Sequence, residues 1–340
     1  MKRILVTGGL GYIGSHTVVE LQEAGYEVSI IDNLSNSSID VLDGIYRISN
    51  KRPHFKQIDL RDKNGLSSYF DNHSDIDGII HFAASKAVGE SIEKPLFYYE
   101  NNIASLIYLL QNCKKHNIGH FIFSSSCTVY GEPDSLPITE GAQVKLAISP
   151  YGNTKQISEE IIQDLCKVSD MRSIALRYFN PIGAHSSAEI GELPLGIPQN
   201  LVPYITQTAA GLREQLSVFG DDYNTPDGSC IRDYIHVVDL AKAHVVAIER
   251  VMNMKEVDSF EVFNIGTGRG SSVLEVVHAF EKVSGLKINY QIVDRRPGDV
   301  TSVYADTKKA NSELKWKAEL SLEDALLSAW KWEQKIRNIK

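Results

Sequence analysis

The sequence predicts an α/β protein with a doubly wound, Rossmann-like parallel sheet and a second, smaller α/β substrate-binding domain. Short apolar runs bounded by turn residues recur through the first half of the chain, and stretches with helical spacing separate them. These runs are apolar at successive positions, as expected for strands that helices bury on both faces. The prolines and glycines that become frequent after Pro181 mark the change to the second domain.

Six strands are expected in the first domain, which is predicted to span residues 1–180. They correspond to the segments "RILVTGG", "EVSIIDN", "HFKQIDL", "DGIIHFAA", "HFIFSSS" and "SIALRYFN". Helical spacing between them predicts helices that include 15–24 and 101–116. Because strands and helices alternate, the sheet is expected to be parallel, with crossover helices on both faces.

The second domain is predicted to span residues 181–340, with some of its segments interleaved with the first domain. The segment "YIHVVDLAKAHVVAIERV" is predicted to form a short strand and a helix. A strand, a glycine turn and a helix are expected in "FNIGTGRGSSVLEVVHAFEKVSG". The last helix, about 321–335, carries Trp330 and Trp332 and is expected to pack on the body of the protein.

Composition excludes several classes of protein. The net charge of −8 and pI near 5.7 argue against general affinity for nucleic acid or an anionic membrane, because both require a basic surface. The four cysteines and ten histidines lack the spacing of metal ligands, so no metal is expected. The apolar run that opens the chain is too short for a signal peptide, which makes the cytoplasm the expected compartment.

A glycine pattern predicts the cofactor of the first domain. Gly9, Gly11 and Gly14 lie between the first predicted strand and the first helix, where glycine lets a pyrophosphate approach the backbone and the helix N-terminus. Asp32 ends the second predicted strand, 18 residues past Gly14, and its carboxylate can bind both ribose hydroxyls. The same carboxylate would repel a 2′-phosphate. The pattern therefore predicts NAD as the cofactor, in preference to NADP.

Further cofactor contacts are expected where other strands end, since ligands of such sheets bind at the carboxyl ends of the strands. Asp59 and Leu60 end the third predicted strand and are placed beside the adenine. The segment that ends the fourth is expected to approach the pyrophosphate and ribose, through Phe82, Ala83, Ala84 and Lys86.

Three residues are predicted to be catalytic. Ser126 ends the serine-rich strand, while Tyr151 and Lys155 are four residues apart on the following helix and share one face of it. A cation near a phenol favours the phenolate, so Lys155 is expected to lower the pKa of Tyr151. Tyr151 could then act as a general base near neutral pH, with Ser126 hydrogen-bonded to the reacting hydroxyl.

These residues behind "TGGLGYIG" resemble the extended short-chain dehydrogenase/reductase superfamily. More narrowly, the chain resembles the UDP-glucose 4-epimerases, also called UDP-galactose 4-epimerases. The motifs that carry this resemblance occur in the family's order across essentially the whole chain: "HFAASKAVGES", "FSSSCTVYG", "SPYGNTK", "RYFNPIGAH", "GIPQNLVPY", "IRDYIHVVDLA" and "RRPGD".

The resemblance implies reversible 4-epimerisation of UDP-glucose and UDP-galactose with a tightly held NAD. Tyr151 would take the proton of the sugar 4-hydroxyl, and a 4-keto sugar would turn within the site before it is reduced on its other face. Lys155 would hold the nicotinamide ribose and keep the pKa of Tyr151 low. The cofactor site implied by the resemblance comprises Gly8, Gly11, Tyr12, Ile13, Gly14, Asp32, Asn33, Asn36, Ser37, Asp59, Leu60, Phe82, Ala83, Ala84, Lys86, Asn101, Ser126, Tyr151, Lys155 and Phe179.

The resemblance also implies a UDP-sugar site, with Arg232 and Arg296 on the diphosphate and Asp299 as an acceptor for a ribose hydroxyl. The rest of this site would comprise Ser126, Tyr151, Asn180, Asn200, Leu201, Ser217, Val218, Phe219, Tyr234 and Val303. In the family, a large tyrosine at the position of Val303 is associated with exclusion of 2-N-acetyl groups. Valine is intermediate in size, so UDP-glucose and UDP-galactose are expected as the main pair, and turnover of UDP-N-acetylglucosamine and UDP-N-acetylgalactosamine is left open.

Two alternatives remain. A nucleotide-sugar 4,6-dehydratase, or another NAD-dependent enzyme that modifies nucleotide sugars, could share the fold, but dehydratases usually place an Asp-Glu pair where this chain has Cys127 and Thr128. A nucleotide sensor or scaffold would be expected to lose Tyr151 or Lys155, and both are present. By resemblance, the protein is expected to form a homodimer through helices near 101–116 and 151–167.

Overall fold

The computed structural model describes residues 1–253, 258–296 and 298–339, and these residues contain strands of four sheets. The strands are β1 Arg3–Thr7, β2 Glu27–Asp32, β3 His54–Gln57, β4 Gly78–His81, β5 His120–Ser126, β6 Arg172–Tyr178, β7 Asn180–Ile182, β8 Leu216–Phe219, β9 Ile231–Arg232, β10 Tyr234–His236, β11 Phe260–Ile265, β12 Ser271–Ser272, β13 Tyr290–Val293 and β14 Ser302–Val303.

Helices connect these strands. The α-helices are α1 Tyr12–Glu23, α2 Val41–Ser49, α3 Lys63–Asp71, α4 Val88–Glu93, α5 Pro95–Tyr99, α6 Ser105–Lys115, α7 Pro150–Lys167, α8 Leu201–Ala209, α9 Val237–Asn253, α10 Val273–Ser284 and α11 Leu322–Arg337. Short π-helical turns at Glu100–Ala104 and Ala310–Leu314 and a 3₁₀ turn at Cys127–Tyr130 complete the set.

The largest sheet is parallel and has seven strands in the order β11-β6-β5-β4-β1-β2-β3. Neighbouring side chains of β1 point to opposite faces, where Ile4 packs in one apolar cluster and Leu5 in another. Helices α1 and α9 cover the first face, and α3, α6 and α7 cover the second. The doubly wound fold predicted from the apolar runs is therefore confirmed.

The six predicted strands all occur, and the structure corrects their ends. β3 ends at Gln57 and β4 at His81, so the predicted ligand residues that begin at Asp59 and Phe82 lie in the loops after these strands. The predicted helix at 101–116 begins as the π-helical turn. Strand β11 comes from the later part of the chain, and it pairs with β6 in the large sheet over the whole length of both strands, from Ser173 to Tyr178 on β6. The division at residue 180 stays a proposal.

The later part of the chain builds a second apolar core beside the large sheet. Helices α8, α10 and α11 pack around Phe280 and Trp330 there. Short sheets border this core, formed by β7 with β10, by β9 with β12 and β14, and by β8 with β13. Within the ranges described, no helix is long and apolar enough to cross a membrane.

Candidate active site

The glycine loop brings β1, β4 and α1 into close contact. A Cβ atom on Gly8, whose φ is +68°, would lie 2.8 Å from the backbone nitrogen of Ala83. One on Gly14 would lie 2.3 Å from the carbonyl oxygen of Gly8. Because α1 is capped by Gly11, which has no side chain, no capping side chain accepts hydrogen bonds from the first N–H groups of the helix. This geometry fits a pyrophosphate.

Asp32 lies at the end of β2 with 7% of its surface exposed. Its carboxylate accepts hydrogen bonds from the backbone N–H of Leu10 at 3.1 Å, that of Leu34 at 2.9 Å and the hydroxyl of Ser37 at 2.9 Å. The predicted residues Asp32 and Ser37 are therefore in contact beside the glycine loop. Asn36 lies in the same loop. A carboxylate has about four acceptor positions, so it can still bind a ribose hydroxyl.

The loop after β3 is organised by a residue that the sequence interpretation missed. Arg61 binds both oxygens of Asp59, at 3.0 and 2.7 Å, and lowers the pKa of that carboxyl to about 2. Asn33 also donates to Asp59, at 3.1 Å, while Leu60 is buried. These contacts hold the loop after β3 in a defined position next to Asp32.

The loop after β4 is held from behind by Asn102, which is 4% exposed and was also missed. Asn102 accepts from the backbone N–H of Ser85 at 2.9 Å and donates to the Ser85 carbonyl oxygen at 3.0 Å. Asn101 reaches the Ser85 hydroxyl at 3.2 Å. Lys86 extends from this loop to within 3.5 Å of the carboxylate of Glu192.

The three predicted catalytic residues are brought together at the carboxyl ends of β5 and β6. Ser126 ends β5, and α7 begins at Pro150 after Ser149, whose hydroxyl accepts from the backbone N–H of Gly152 at 3.2 Å. This cap places Tyr151 in the first turn of α7. The exposed fractions of Ser126, Tyr151 and Lys155 are 7%, 8% and 5%. They form one buried polar cluster.

Lys155 is anchored beside Tyr151, and its predicted lowering of the pKa of the phenol stays a prediction. Its ammonium donates to the carbonyl oxygen of Ser124 at 2.7 Å and lies 5.9 Å from the ring centre of Tyr151. Burial raises the pKa of Tyr151 well above its ordinary value, and Tyr178 adds to that rise. Burial also lowers the pKa of Lys155 to about 8, against the attraction of Glu159. Within the chain itself, burial is the largest influence on the pKa of both groups.

A buried network behind this cluster was not predicted from the sequence. Glu159 accepts from the hydroxyl of Ser125 at 2.5 Å and from the guanidinium of Arg177, whose Nε lies at 2.9 Å. Glu159 follows Lys155 by one helical turn, so the same spacing argument that joined Tyr151 and Lys155 could have placed it on that face. The network fixes β5, β6 and α7 relative to one another.

At the other end of the site, two arginines share one carboxylate. Arg296 binds Asp299 through Nε at 3.2 Å and Nη2 at 2.8 Å, and Arg232 approaches the same carboxylate at 3.5 Å. One acid between two cations leaves a net positive charge, which suits a diphosphate. Of the predicted "RRPGD" motif, Pro297 lies outside the described residues.

The predicted substrate-site residues on β8 differ in whether their side chains can contact a ligand. Phe219 is 41% exposed and lies under the guanidinium of Arg296, 5.6 Å from it. Val218 is 1% exposed and packs in the second core, so its side chain is turned away and only its backbone can meet a ligand. Ser217 lies between Leu216 and Val218 on β8 and is half-buried.

Five further residues of the predicted substrate site are placed by short strands and one helix. Asn180 of β7 is paired with Tyr234 of β10, and Val303 of β14 with Arg232 of β9. Asn200 precedes α8, whose first residue is Leu201. Val303 is buried in a cluster that contains Phe179. The structure therefore brings the residue predicted to control specificity beside both the arginine pair and the catalytic side of the site.

The seven-stranded sheet, the glycine loop and the Ser-Tyr-Lys cluster define an extended short-chain dehydrogenase/reductase. Residues 5–328 match a family model described as GDP-mannose 4,6 dehydratase. The UDP-glucose 4-epimerase of Bacillus subtilis (strain 168) is 51% identical over 331 residues, which cover 97% of this chain and 96% of that protein. The chain belongs to the UDP-glucose 4-epimerase family.

Solved structures agree with this assignment. The UDP-glucose 4-epimerase of Stenotrophomonas maltophila, with bound NAD and formylated UDP-arabinopyranose, is 45% identical, with a TM-score of 0.96 and full coverage of both chains. That of Bifidobacterium longum, in complex with NAD+ and UDP, is 46% identical, with a TM-score of 0.95 and full coverage of both chains.

Proposed function

We infer that the chain catalyses the reversible 4-epimerisation of UDP-glucose and UDP-galactose with tightly bound NAD. One observation carries this inference: the buried cluster of Ser126, Tyr151 and Lys155 lies between a glycine loop that fits a pyrophosphate and an arginine pair that fits a diphosphate. Membership of the epimerase family supports the same reaction.

The chain's own groups handle the proton. Tyr151 takes the proton of the sugar 4-hydroxyl, while Ser126 hydrogen-bonds to that hydroxyl and is itself oriented by Thr128, which donates to it at 3.0 Å. When bound, NAD supplies the hydride acceptor and a positive charge. Because the chain alone raises the pKa of Tyr151, the phenolate depends on more positive charge than Lys155 provides.

Arg232 and Arg296 allow the second half of the reaction. The 4-keto sugar must present its other face before it is reduced, and it can turn only if the rest of the molecule stays bound. The arginine pair holds the diphosphate, so the sugar turns about its link to that group. Tyr151 then returns the proton to the new hydroxyl.

A 4,6-dehydratase is less well supported. That reaction needs an acid next to Ser126, where this chain has Cys127, and burial raises the pKa of this thiol to about 12. Thr128, the next residue, is engaged with Ser126. Cys127 and Thr128 therefore supply no carboxyl group for the elimination of water.

We also propose that the protein is a cytoplasmic homodimer without nucleic-acid or membrane partners. The acidic net charge of −8 supports the absence of both partners. Helices α6 and α7 are proposed as interface elements on the basis of the family resemblance.

The decisive experiment omits added cofactor. Purified protein is incubated separately with UDP-glucose and with UDP-N-acetylglucosamine, and the anomeric signals are followed by NMR. We expect conversion of UDP-glucose to its 4-epimer, supported by NAD that remains bound through purification. Absence of any conversion, with NAD present in the protein, would refute the epimerase function, and loss of the C6 hydroxyl would indicate a dehydratase.

A further inference from the structure

Glu192 lies where the predicted cofactor and substrate sites meet, although it belongs to neither set. Its carboxylate accepts a hydrogen bond from the side chain of Asn200 at 2.6 Å and is 3.5 Å from the ammonium of Lys86. Lys86 comes from the cofactor loop after β4, and Asn200 precedes α8 on the substrate side. One carboxylate thus joins a residue of each site.

The backbone of Glu192 is fixed before any ligand arrives. Its carbonyl oxygen accepts from the indole N–H of Trp332 at 2.9 Å. The same indole packs so closely on Gly191 that a Cβ there would lie 2.5 Å from the ring. Although Glu192 follows this glycine in a loop, its side chain is only 13% exposed. The acid therefore has a defined position.

The carboxylate also acts on the glycine loop. Burial raises the pKa of Tyr12, and the charge of Glu192 raises it further, so this acid is within electrostatic range of the first turn of α1. The Tyr12 hydroxyl stays protonated and donates to the carbonyl oxygen of Gly183 at 2.6 Å. Glu192 therefore contacts Lys86 and Asn200 directly and acts electrostatically on Tyr12, and all three belong to the predicted ligand sites.

An acid at this position repels both anionic ligands, the pyrophosphate of NAD and the diphosphate of the sugar nucleotide. Glu192 can favour ligand binding only by holding Lys86 and Asn200 in place. A free lysine loses rotamer freedom when a ligand fixes it, and a partner that holds it beforehand reduces that entropic cost.

We propose that Glu192 is a positioning residue that couples the cofactor site to the UDP-sugar site. When Lys86 is held on the cofactor side, it fixes the carboxylate of Glu192. That carboxylate then orients Asn200 for the sugar nucleotide. By linkage, the coupling has the same size in both directions, so UDP also strengthens the retention of NAD. This inference rests on the proposed function, because it concerns the same two ligands.

The substitution Glu192→Gln separates positioning from simple repulsion. Glutamine keeps an amide oxygen that can accept from Asn200, but it loses the charge that attracts Lys86. If Glu192 only repelled anions, the variant would bind UDP more tightly. If it positions Lys86 and Asn200, the variant binds UDP about two- to fivefold more weakly, the range expected for a partly exposed ion pair. The direction of the change in UDP affinity therefore distinguishes positioning from simple repulsion.

The experiment is a double-mutant cycle on the holoenzyme, with saturating NAD and UDP titrated by calorimetry. Lys86→Met should weaken UDP binding in the wild-type background and leave it unchanged in the Glu192→Gln background. UDP should slow the loss of NAD from wild type more than from Glu192→Gln. A matched control is Glu189→Gln, which removes a nearby acid that pairs with Arg47 and Lys335 and should not alter UDP binding.

Unchanged or tighter UDP binding by Glu192→Gln, or equal effects of Lys86→Met in both backgrounds, would overturn the coupling. These outcomes differ from failure of the proposed function, in which the wild-type protein would neither bind UDP nor epimerise UDP-glucose. Should Lys86→Met not fold, the sign of the Glu192→Gln effect on UDP affinity and the protection of NAD by UDP still test the proposal.

Discussion

The ammonium of Lys155 donates a hydrogen bond to the carbonyl oxygen of Ser124, 2.7 Å away, instead of to the phenol of Tyr151. This contact anchors the lysine to the strand that ends in Ser126, with the ring of Phe123 4.8 Å below the ammonium. Lys155 is thus a fixed positive charge near the reacting atoms. Burial is the main cause of the raised pKa of Tyr151, whose ring centre lies 5.9 Å from this ammonium.

Tyr151→Phe tests the general base. The variant keeps the ring and loses only the hydroxyl, so it should retain NAD and lose epimerase activity by a factor on the order of 10²–10⁴, the usual size of general acid–base effects. Steady-state rates and the NAD content of purified protein measure the two quantities. Tyr69→Phe, which alters a buried tyrosine of α3, is the matched control and should stay active. An active Tyr151→Phe enzyme would exclude this residue as the base.

Lys155 predicts a pH dependence of stability. Its pKa in the folded chain is about 8, below the ordinary value near 10.5, so between these values the unfolded chain holds a proton that the folded chain has released. Lys155 therefore makes the free energy of unfolding rise with pH from about 8 to 10.5, by at most roughly 1.4 kcal/mol per pH unit. Below pH 8 this gain is absent.

Lys155→Met removes that titration, so its unfolding temperature should rise less between pH 8 and 10 than that of wild type. The measurement is thermal unfolding of both proteins across this range, and only the difference in slope matters because other groups titrate equally in both. Parallel curves would mean that Lys155 has an ordinary pKa in the folded protein.

The sequence predicts contacts well where local chemistry determines them. Gly14, Asp32 and Tyr151 follow from turn geometry, strand ends and helical spacing, and the structure places them at the start of α1, at the end of β2 and in the first turn of α7. Arg61 could not be anticipated as the partner of Asp59, because nothing in a strand pattern says which carboxylate a loop arginine will bind. The orientation of Val218 depended on the packing of the second core, which its strand alone does not reveal.

Asp32→Ala should lower the NAD content of purified protein. The carboxylate is held by Leu10, Leu34 and Ser37, and its loss removes both the ribose acceptor and the acceptor for three loop donors. Ser37→Ala separates these effects, because it removes one loop donor and leaves the carboxylate intact, so it should retain more NAD. Released nucleotide is quantified after denaturation. Full NAD content in Asp32→Ala would refute the ribose contact.

Arg232→Ala should weaken UDP binding with little effect on NAD content, because each arginine of the pair that shares Asp299 is proposed to form charge-assisted bonds to the diphosphate. A loss of about 1.5–3 kcal/mol, or roughly 10- to 150-fold in affinity, is expected for a hydrogen bond to a charged group. Arg295→Ala is the control, because this neighbour pairs with Asp222 and stacks on Tyr223. Equal UDP affinity in wild type and Arg232→Ala would place the diphosphate elsewhere.

Val303 tests the control of specificity. Its side chain is 7% exposed, lies opposite Arg232 across the β9–β14 pair and packs in the cluster that contains Phe179. Because the surrounding cluster is filled, a larger residue there is expected to project into the proposed sugar site. Val303→Tyr should therefore abolish turnover of UDP-N-acetylglucosamine and spare that of UDP-glucose, whereas Val303→Gly should increase the former. NMR assays of both substrates compare the three proteins, and if neither wild type nor Val303→Gly converts the N-acetylated sugar, this position does not control its access.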